Sequence, residues 1–364
     1  MFHIAIKDMR FSKVKYGLIA FILFLIASLV LIVSGLARGL SDQNIAMLVE
    51  SEATEFYVST DSENQLDQSG FLIEDLVNDV PTEEGWQPLI THPVRFVHQG
   101  KADEKLAATM IPVDRDAKLY PGVTDGEDLT NDASLNIIVD QTMRADGVSL
   151  NDTLYDEETD LTFTVVGFTE GQTYRHTPVV YVSETAFYAE EISPHQVANS
   201  VVIFEENDTL KASIDSVLEE GEWVDKSAVI DAVPGHSSEQ MSLNMMIFFL
   251  IVISVFVLAA FFYIITIQKL KQFGILKAIG AKNRFLIGST LMQVVILSVF
   301  SLGIAVLFTY SMTFILPEGM PFDFNLGTIS MYSGLMFLVS ILGALLSSRR
   351  IVKVDPQQAM GGAE

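Results

Sequence analysis

Four uncharged apolar runs dominate this chain and leave it few folds to adopt: Tyr16 to Ala37, Leu243 to Ile267, Phe285 to Ile315 and Thr328 to Ser347. Each is long enough to cross a hydrocarbon core of roughly 30 Å as a helix. Four crossings put both termini on one side. Lys7, Arg10, Lys13 and Lys15 precede the first run; Lys269, Lys271, Lys277, Lys282 and Arg284 join the second to the third; Arg349, Arg350 and Lys353 follow the fourth. Positive charge marks the cytoplasmic edge, so both ends are expected inside. A cleaved signal peptide is the rival reading of the first run, with Gly35 and Ala37 as small residues near a cleavage site. Its apolar stretch exceeds the roughly 15 residues of a signal core, which favours an uncleaved anchor.

Charge is segregated as sharply as hydropathy. The net charge is −24, and forty-one of the 46 acidic residues fall between Asp42 and Glu239. That stretch reads as a water-exposed domain outside the cell, large enough to hold its own core without the disulfides that a cysteine-free chain cannot make. Thiol catalysis and thiolate metal sites are excluded. The acids are scattered with no calcium-loop spacing, as expected of a surface kept soluble by charge.

Short β-type runs lie at Leu135 to Asp140, Leu161 to Phe168, Pro178 to Ser183 and Ser200 to Glu205, with turn chemistry at Gly147, Asn151 and Asp152. Asn207 to Glu222 reads as a helix capped by Asn207 or Asp208. Gly39 to Glu55 and Val233 to Asn244 read as outward continuations of the first two membrane helices. The expected fold is a membrane α-helical protein with four transmembrane helices and an α+β extracytoplasmic domain inserted between helices 1 and 2. Its expected segments are an amphipathic N-terminal helix at 1–15, spans at 16–38, 243–267, 285–315 and 328–348, the external domain with its stalks at 39–242, a cytoplasmic coupling segment at 268–284, an outer loop at 316–327 and a cytoplasmic tail at 349–364. The N-terminal helix is expected flat on the inner leaflet, with Phe2, Ile6, Met9 and Phe11 toward lipid. Ser34, Gly35, Ala37 and Gly39, with Ala259 and Ala260, mark places where helices can approach closely. Pro317, Gly319 and Pro321 supply the outer turn.

The connector KLKQFGILKAIGAKNRF, Lys269 to Phe285, interleaves cations with Phe273, Ile275, Leu276, Ile279 and Phe285. A short surface helix ending at a glycine fits it, with an apolar face to press on something. Phe273 to Ala281 resembles the signature of FtsX/MacB-type ABC permeases, although Gln272 stands where that pattern has an acid. The tail RRIVKVDPQQAM and the stretch GVSLNDTLYDEETDLTFTVVGF are similar to two further family motifs. Within the family, the opening residues are most like hemin-export permeases of the HrtB kind and the DevC-like permeases.

The resemblance implies a homodimer in the plasma or inner membrane, bound to two copies of a separate ABC ATPase that carries ATP and Mg and moves the first two helices by a mechanotransmission stroke. This sequence has no phosphate-binding G-x-x-x-x-G-K-[ST] of its own. The expected ATPase contact is Phe273, Gly274, Ile275, Leu276, Lys277, Ala278, Ile279 and Gly280. No intrinsic cofactor and no nucleic-acid partner are expected; heme is a candidate substrate, because no charge lies mid-span and a porphyrin is flat and apolar with propionates for an aqueous edge. Candidate heme-binding groups are Met47 and Glu50 on the first stalk and His236, Glu239, Met241, Met245 and Met246 at the start of the second helix. Each has the plainer reading of methionine as gap filler and acid as solvated surface. An FtsX-like regulator of an external cell-wall hydrolase is the alternative function. A sensory receptor is disfavoured by the extra spans. An enzyme is disfavoured by the lack of a G-x-S-x-G or H-E-x-x-H motif, and the six histidines, His3, His92, His98, His176, His195 and His236, are scattered.

Overall fold

The computed structural model describes residues 2–80, 85–98, 105–190, 192, 197–218, 220–316 and 320–352. His195, Pro317, Gly319 and the tail motif from Lys353 to Met360 lie outside the described residues, as do the side chains of Phe2, His3, Arg349 and Arg350. The helices are α1 (Phe2–Phe11), α2 (Lys13–Glu50), α3 (Ile73–Asp79), α4 (Glu184–Ala189), α5 (Asp208–Val217), α6 (Lys226–Ala232), α7 (His236–Gln268), α8 (Leu270–Ala278), α9 (Asn283–Met312) and α10 (Leu326–Val352). The chain divides into two compact units. One holds residues 1–38, 241–316 and 322–364; the other holds residues 39–240 and 317–321.

The first unit is helical. Helices α2, α7, α9 and α10 are each long and apolar enough to cross a membrane. Their apolar character is nearly all-round, and what distinguishes the inner stripe is size and periodicity. On α2, Tyr16, Ile19, Leu23, Ala27 and Leu31 are buried, three or four residues apart, with Val30 beside them. They meet Leu258 and Phe262 of α7, Val294, Leu297, Leu302 and Ala305 of α9, and Met336 and Val339 of α10. Small residues do set close approach here: a Cβ on Gly343 would stand 3.3 Å from the backbone nitrogen of Ala259, and one on Gly35 would overlap the Phe322 ring at 2.6 Å. Helix α1 departs from a lipid-facing strip. Ala5 is buried and Met9 packs against the bundle's apolar core, whereas Phe11 is 88 % exposed.

The second unit is α+β. Six strands close on themselves: Thr177–Val182 pairs with Lys105–Pro112, then His92–His98, Thr153–Asp156, Leu161–Thr169 and Asn136–Asp140, which returns to the first. Alternate residues such as Phe96, Ala108, Leu154, Phe163, Val165 and Val180 fill the interior of this small barrel. Beside it lies an antiparallel sheet ordered Gly221–Asp225, Glu55–Ser59, Ser200–Ile203, Trp86–Leu89. Its two faces separate by the period-2 rule. Tyr57, Trp86, Val201 and Ile203 pack on Leu76 of α3 and on Leu210 and Ile214 of α5. Phe56, Val58 and Val202 turn the other way, onto Ile45, Met47 and Leu48 at the end of α2.

The four β-type runs read from sequence are strands within a residue or two. Asn207 is the N-cap of α5, its side chain accepting from the Leu210 backbone at 3.1 Å. The helix expected to reach Glu222 stops at Val217, because Gly221–Asp225 is drawn off as a strand pairing with Glu55–Ser59. Gly221 there lies against the Tyr57 ring, where a Cβ would sit at 2.3 Å. Tertiary pairing overrode a helical period.

Candidate functional site

Helix α8 lies between α7 and α9 in the chain and ends as a Schellman turn. Gly280 has φ +99°. Its N–H donates to the Lys277 carbonyl at 2.9 Å, and the Ala281 N–H donates to the Leu276 carbonyl at 2.9 Å. This pairing requires a left-handed residue after the helix, which glycine takes without a Cβ penalty. Leu276 and Ala281 join Phe273, Phe285, Leu286 and Ile287 in a small apolar cluster that fixes α8 on the start of α9.

The eight residues expected at an ATPase contact are thereby sorted. Phe273 and Gly274 are buried, Leu276 and Lys277 are half-buried, and Ile275, Ala278, Ile279 and Gly280 are exposed. Ile275 and Ile279, 48 % and 76 % exposed, stand four apart on one helical face. Lys271, Lys282 and Arg284 are exposed around them. The segment thus presents an apolar pair together with three exposed cations.

Behind this face the polar groups converge. Lys269, the residue between α7 and α8, sends its ammonium to the Asp8 carboxylate and to the Tyr16 hydroxyl, and reaches Gln293 Oε1 at 3.2 Å. Gln293 Nε2 donates to Asp8 Oδ2 at 2.8 Å, and the Tyr16 hydroxyl donates to Gln293 Oε1 at 2.7 Å. From the sequence alone Lys269 reads as a topology signal and Gln293 carries no role. The available clue was a lone amide inside the third apolar run.

The candidate heme groups are dispersed in character. Met47 is 3 % exposed and belongs to the apolar core of the α+β unit. His236 is 2 % exposed, its Nδ1 unpartnered. Glu239 is engaged: His176 Nε2 lies 3.2 Å from both its carboxylate oxygens and Asn44 Nδ2 lies 3.4 Å from Oε2. Glu50, Met241, Met245 and Met246 are exposed, the methionines at 77 %, 57 % and 43 %. Glu50 also lines a cavity of about 220 Å³ with Met47, Glu52, Tyr120, Gln172 and Tyr181. That volume is below the roughly 300 Å³ at which enclosed small-molecule sites begin, so a porphyrin does not fit within it. Among the described residues, no group of three or more His, Asp or Glu is arranged to hold a metal ion.

His176 is held there at a conformational cost. Thr173 pairs with Pro178 and Tyr174 with Thr177, leaving Arg175 and His176 as a two-residue turn with φ +52° and +60°. Such a turn ordinarily takes Asn-Gly. The Arg175 N–H donates to the Asn44 carbonyl at 2.9 Å, so the turn is pinned to the end of α2 as well as to the start of α7. Helix α2 is also capped at its C-terminus by Lys226, whose ammonium reaches the carbonyls of Val49 at 2.8 Å and Ser51 at 2.7 Å. Burial lowers the Lys226 pKa, partly offset by Glu50.

Residues 244–356, which contain α8, α9, all of α10 and the last three quarters of α7, match the FtsX-like permease C-terminal family. The chain carries an FtsX-like permease domain. The hemin transport system permease protein HrtB of Staphylococcus haemolyticus is 29 % identical over 369 residues, covering all of both chains. HrtB of Staphylococcus epidermidis is 27 % identical over 364 residues, again covering all of both. The periplasmic region of MacB from Actinobacillus actinomycetemcomitans aligns with 49 % of this chain and 90 % of its own, at 13 % identity and a TM-score of 0.37. The match takes in three of the four membrane-length helices, and over its whole length the chain is similar to relatives named as permeases.

Proposed function

We propose that this permease works as a homodimer with two copies of a separate ATPase, and exports hemin or a similar toxic amphiphile. In this reading the basic ends of the spans and both termini are cytoplasmic, and the α+β unit, inserted between the first two spans, is extracytoplasmic. The single observation that carries the reading is α8: a glycine-terminated helix at the basic end of the bundle that offers Ile275 and Ile279 to a partner. A loop that only obeyed the charge rule would need no such face. Full-length likeness to proteins named for hemin transport supplies the substrate class.

ATP binding and Mg belong to the partner in this scheme, and this chain converts the partner's closure into movement of α2 and α7. Hemin would meet the exposed thioethers of Met241, Met245 and Met246, soft ligands suited to a porphyrin iron, with Glu50 as a further exposed donor. Duplication across a dimer axis would supply two axial ligands. The test is to purify the membrane complex, ask whether an ATPase comes with it, and titrate it with hemin. A shifted Soret band together with hemin-stimulated hydrolysis is the expected result. An assembled complex with neither response removes hemin, and a preparation with no ATPase removes the exporter.

A further inference from the structure

A lysine that serves only to mark the cytoplasmic edge of a span has no reason to leave water. Lys269 has: its side chain is 12 % exposed, and that of its partner Asp8 is 26 % exposed. Asp8 is also the only acid among the described residues at the basic end. Removing two charges from water is costly, and such a pair is retained most understandably where it fixes register between elements. Four elements meet here. Asp8 comes from α1, Tyr16 from α2, Lys269 from the point where α7 gives way to α8, and Gln293 from α9.

Lys269 is placed as a pivot. Its backbone, at φ −96° and ψ 0°, stands between the two helices. Its N–H still bonds the Ile265 and Thr266 carbonyls of α7, at 3.2 and 3.1 Å, while its carbonyl accepts from Phe273 of α8 at 2.9 Å. Any displacement of α8 therefore moves the Lys269 ammonium and everything bonded to it. A second link, from the Lys15 ammonium to Gln268 at 2.9 Å, is exposed and correspondingly weak.

We propose that Asp8, Tyr16 and Gln293 are positioning residues that lock Lys269, and through it α8, to α2, so that a push on α8 is delivered to the first membrane helix. This rests on the permease reading and adds the route by which force leaves the coupling helix. The apolar cluster of α8 leads to α9; the polar knot leads also to α1 and α2.

The chain has no cysteine, so spin labels can be placed cleanly. Val14→Cys on α2 and Gln272→Cys on α8, both at exposed positions, report the separation of the two helices in the full permease–ATPase complex in nanodiscs. With the knot intact, ATP plus vanadate leaves that separation unchanged. In Asp8→Asn and Lys269→Gln backgrounds it shifts by about one helical turn, ~5 Å. The exchanged pair Asp8→Lys with Lys269→Asp returns it toward the native behaviour, which loss of folding would not. Gln293→Leu keeps the buried shape, removes only the amide's bonds, and carries the same test should the charge variants fail to assemble. Labels that stay fixed in every variant of an assembled complex overturn the proposal, as does a shift in the unsubstituted background. Absence of any co-purifying ATPase is a different result, which removes the permease reading and this inference with it.

Discussion

His176 Nε2 stands 3.2 Å from both carboxylate oxygens of Glu239, so an acid at the start of α7 is already held by a strained turn of the α+β unit. The backbone around His176 pays for a left-handed pair of non-glycine residues, each worth of order 1–2 kcal/mol, and such a cost persists only where surrounding contacts enforce it. The arrangement makes Glu239 a fastener between α7 and the turn that also grips α2 at Asn44.

Glu239→Gln should therefore loosen the helix ends without touching hemin. The exposed pair itself contributes about 0.2–1 kcal/mol. Hydrogen exchange at residues 41–50 and 236–240 should rise several-fold, with the Soret titration unchanged. A lost Soret shift with unaltered exchange would make Glu239 a ligand after all.

The methionines should divide by burial. Met47→Ala removes a core side chain and should cost about 2–4 kcal/mol, read as a lower thermal transition, while Met47→Leu costs under about 1.5 kcal/mol. Met241→Leu with Met245→Leu should leave stability alone and abolish the hemin band shift. Equal hemin response in both sets would exclude thioether ligation.

At α8 the two kinds of residue should also separate. Gly280→Ala places a Cβ on a left-handed residue and should destabilise the turn by about 1 kcal/mol. Ile279→Asp, at an exposed position, should leave the thermal transition in place and eliminate ATPase co-purification. Retained binding by Ile279→Asp would move the docking face elsewhere.

Glu184, on the first turn of α4, is pushed up to about 7 by burial and then by the nearby Asp114 carboxylate. Its folded pKa lies above the unfolded one, so the folded state holds the extra proton and stability falls as pH rises from about 4.5 toward 7. The full contribution is at most about 3 kcal/mol, less for a group that is partly exposed. Glu184→Gln in the full chain should raise the melting transition by several degrees at pH 8 and by almost nothing at pH 5. A gain of equal size at both would show that folding does not raise the carboxyl's pKa.

Much of this was legible without coordinates, for identifiable reasons. Membrane helices announce themselves by a local quantity, hydropathy over some twenty residues, and the ends of α8 and α5 by single residues, Gly280 and Asn207. Strand pairing is not local. Glu55–Ser59 pairs with Ser200–Ile203 and Gly221–Asp225, and nothing near Glu222 reveals a partner about 165 residues earlier; the helix expected there failed on that account. The same holds for the site. Ile275 and Ile279 could be named from the spacing of one segment, whereas the Asp8, Tyr16, Lys269 and Gln293 cluster joins positions scattered over nearly 300 residues, and Glu239 and His176 meet only because a distant hairpin folds back.

The closed ring of six strands has a bearing on how such a protein survives among its neighbours. A barrel's ladder is satisfied all the way round, so these strands offer no free row of amides to a passing chain. Among the described residues the four-residue and longer edge strands are those of the small sheet, Trp86–Leu89 and Gly221–Asp225, of which the latter carries Glu222 and Asp225. A unit built this way resists fibrous self-association where many copies are crowded together.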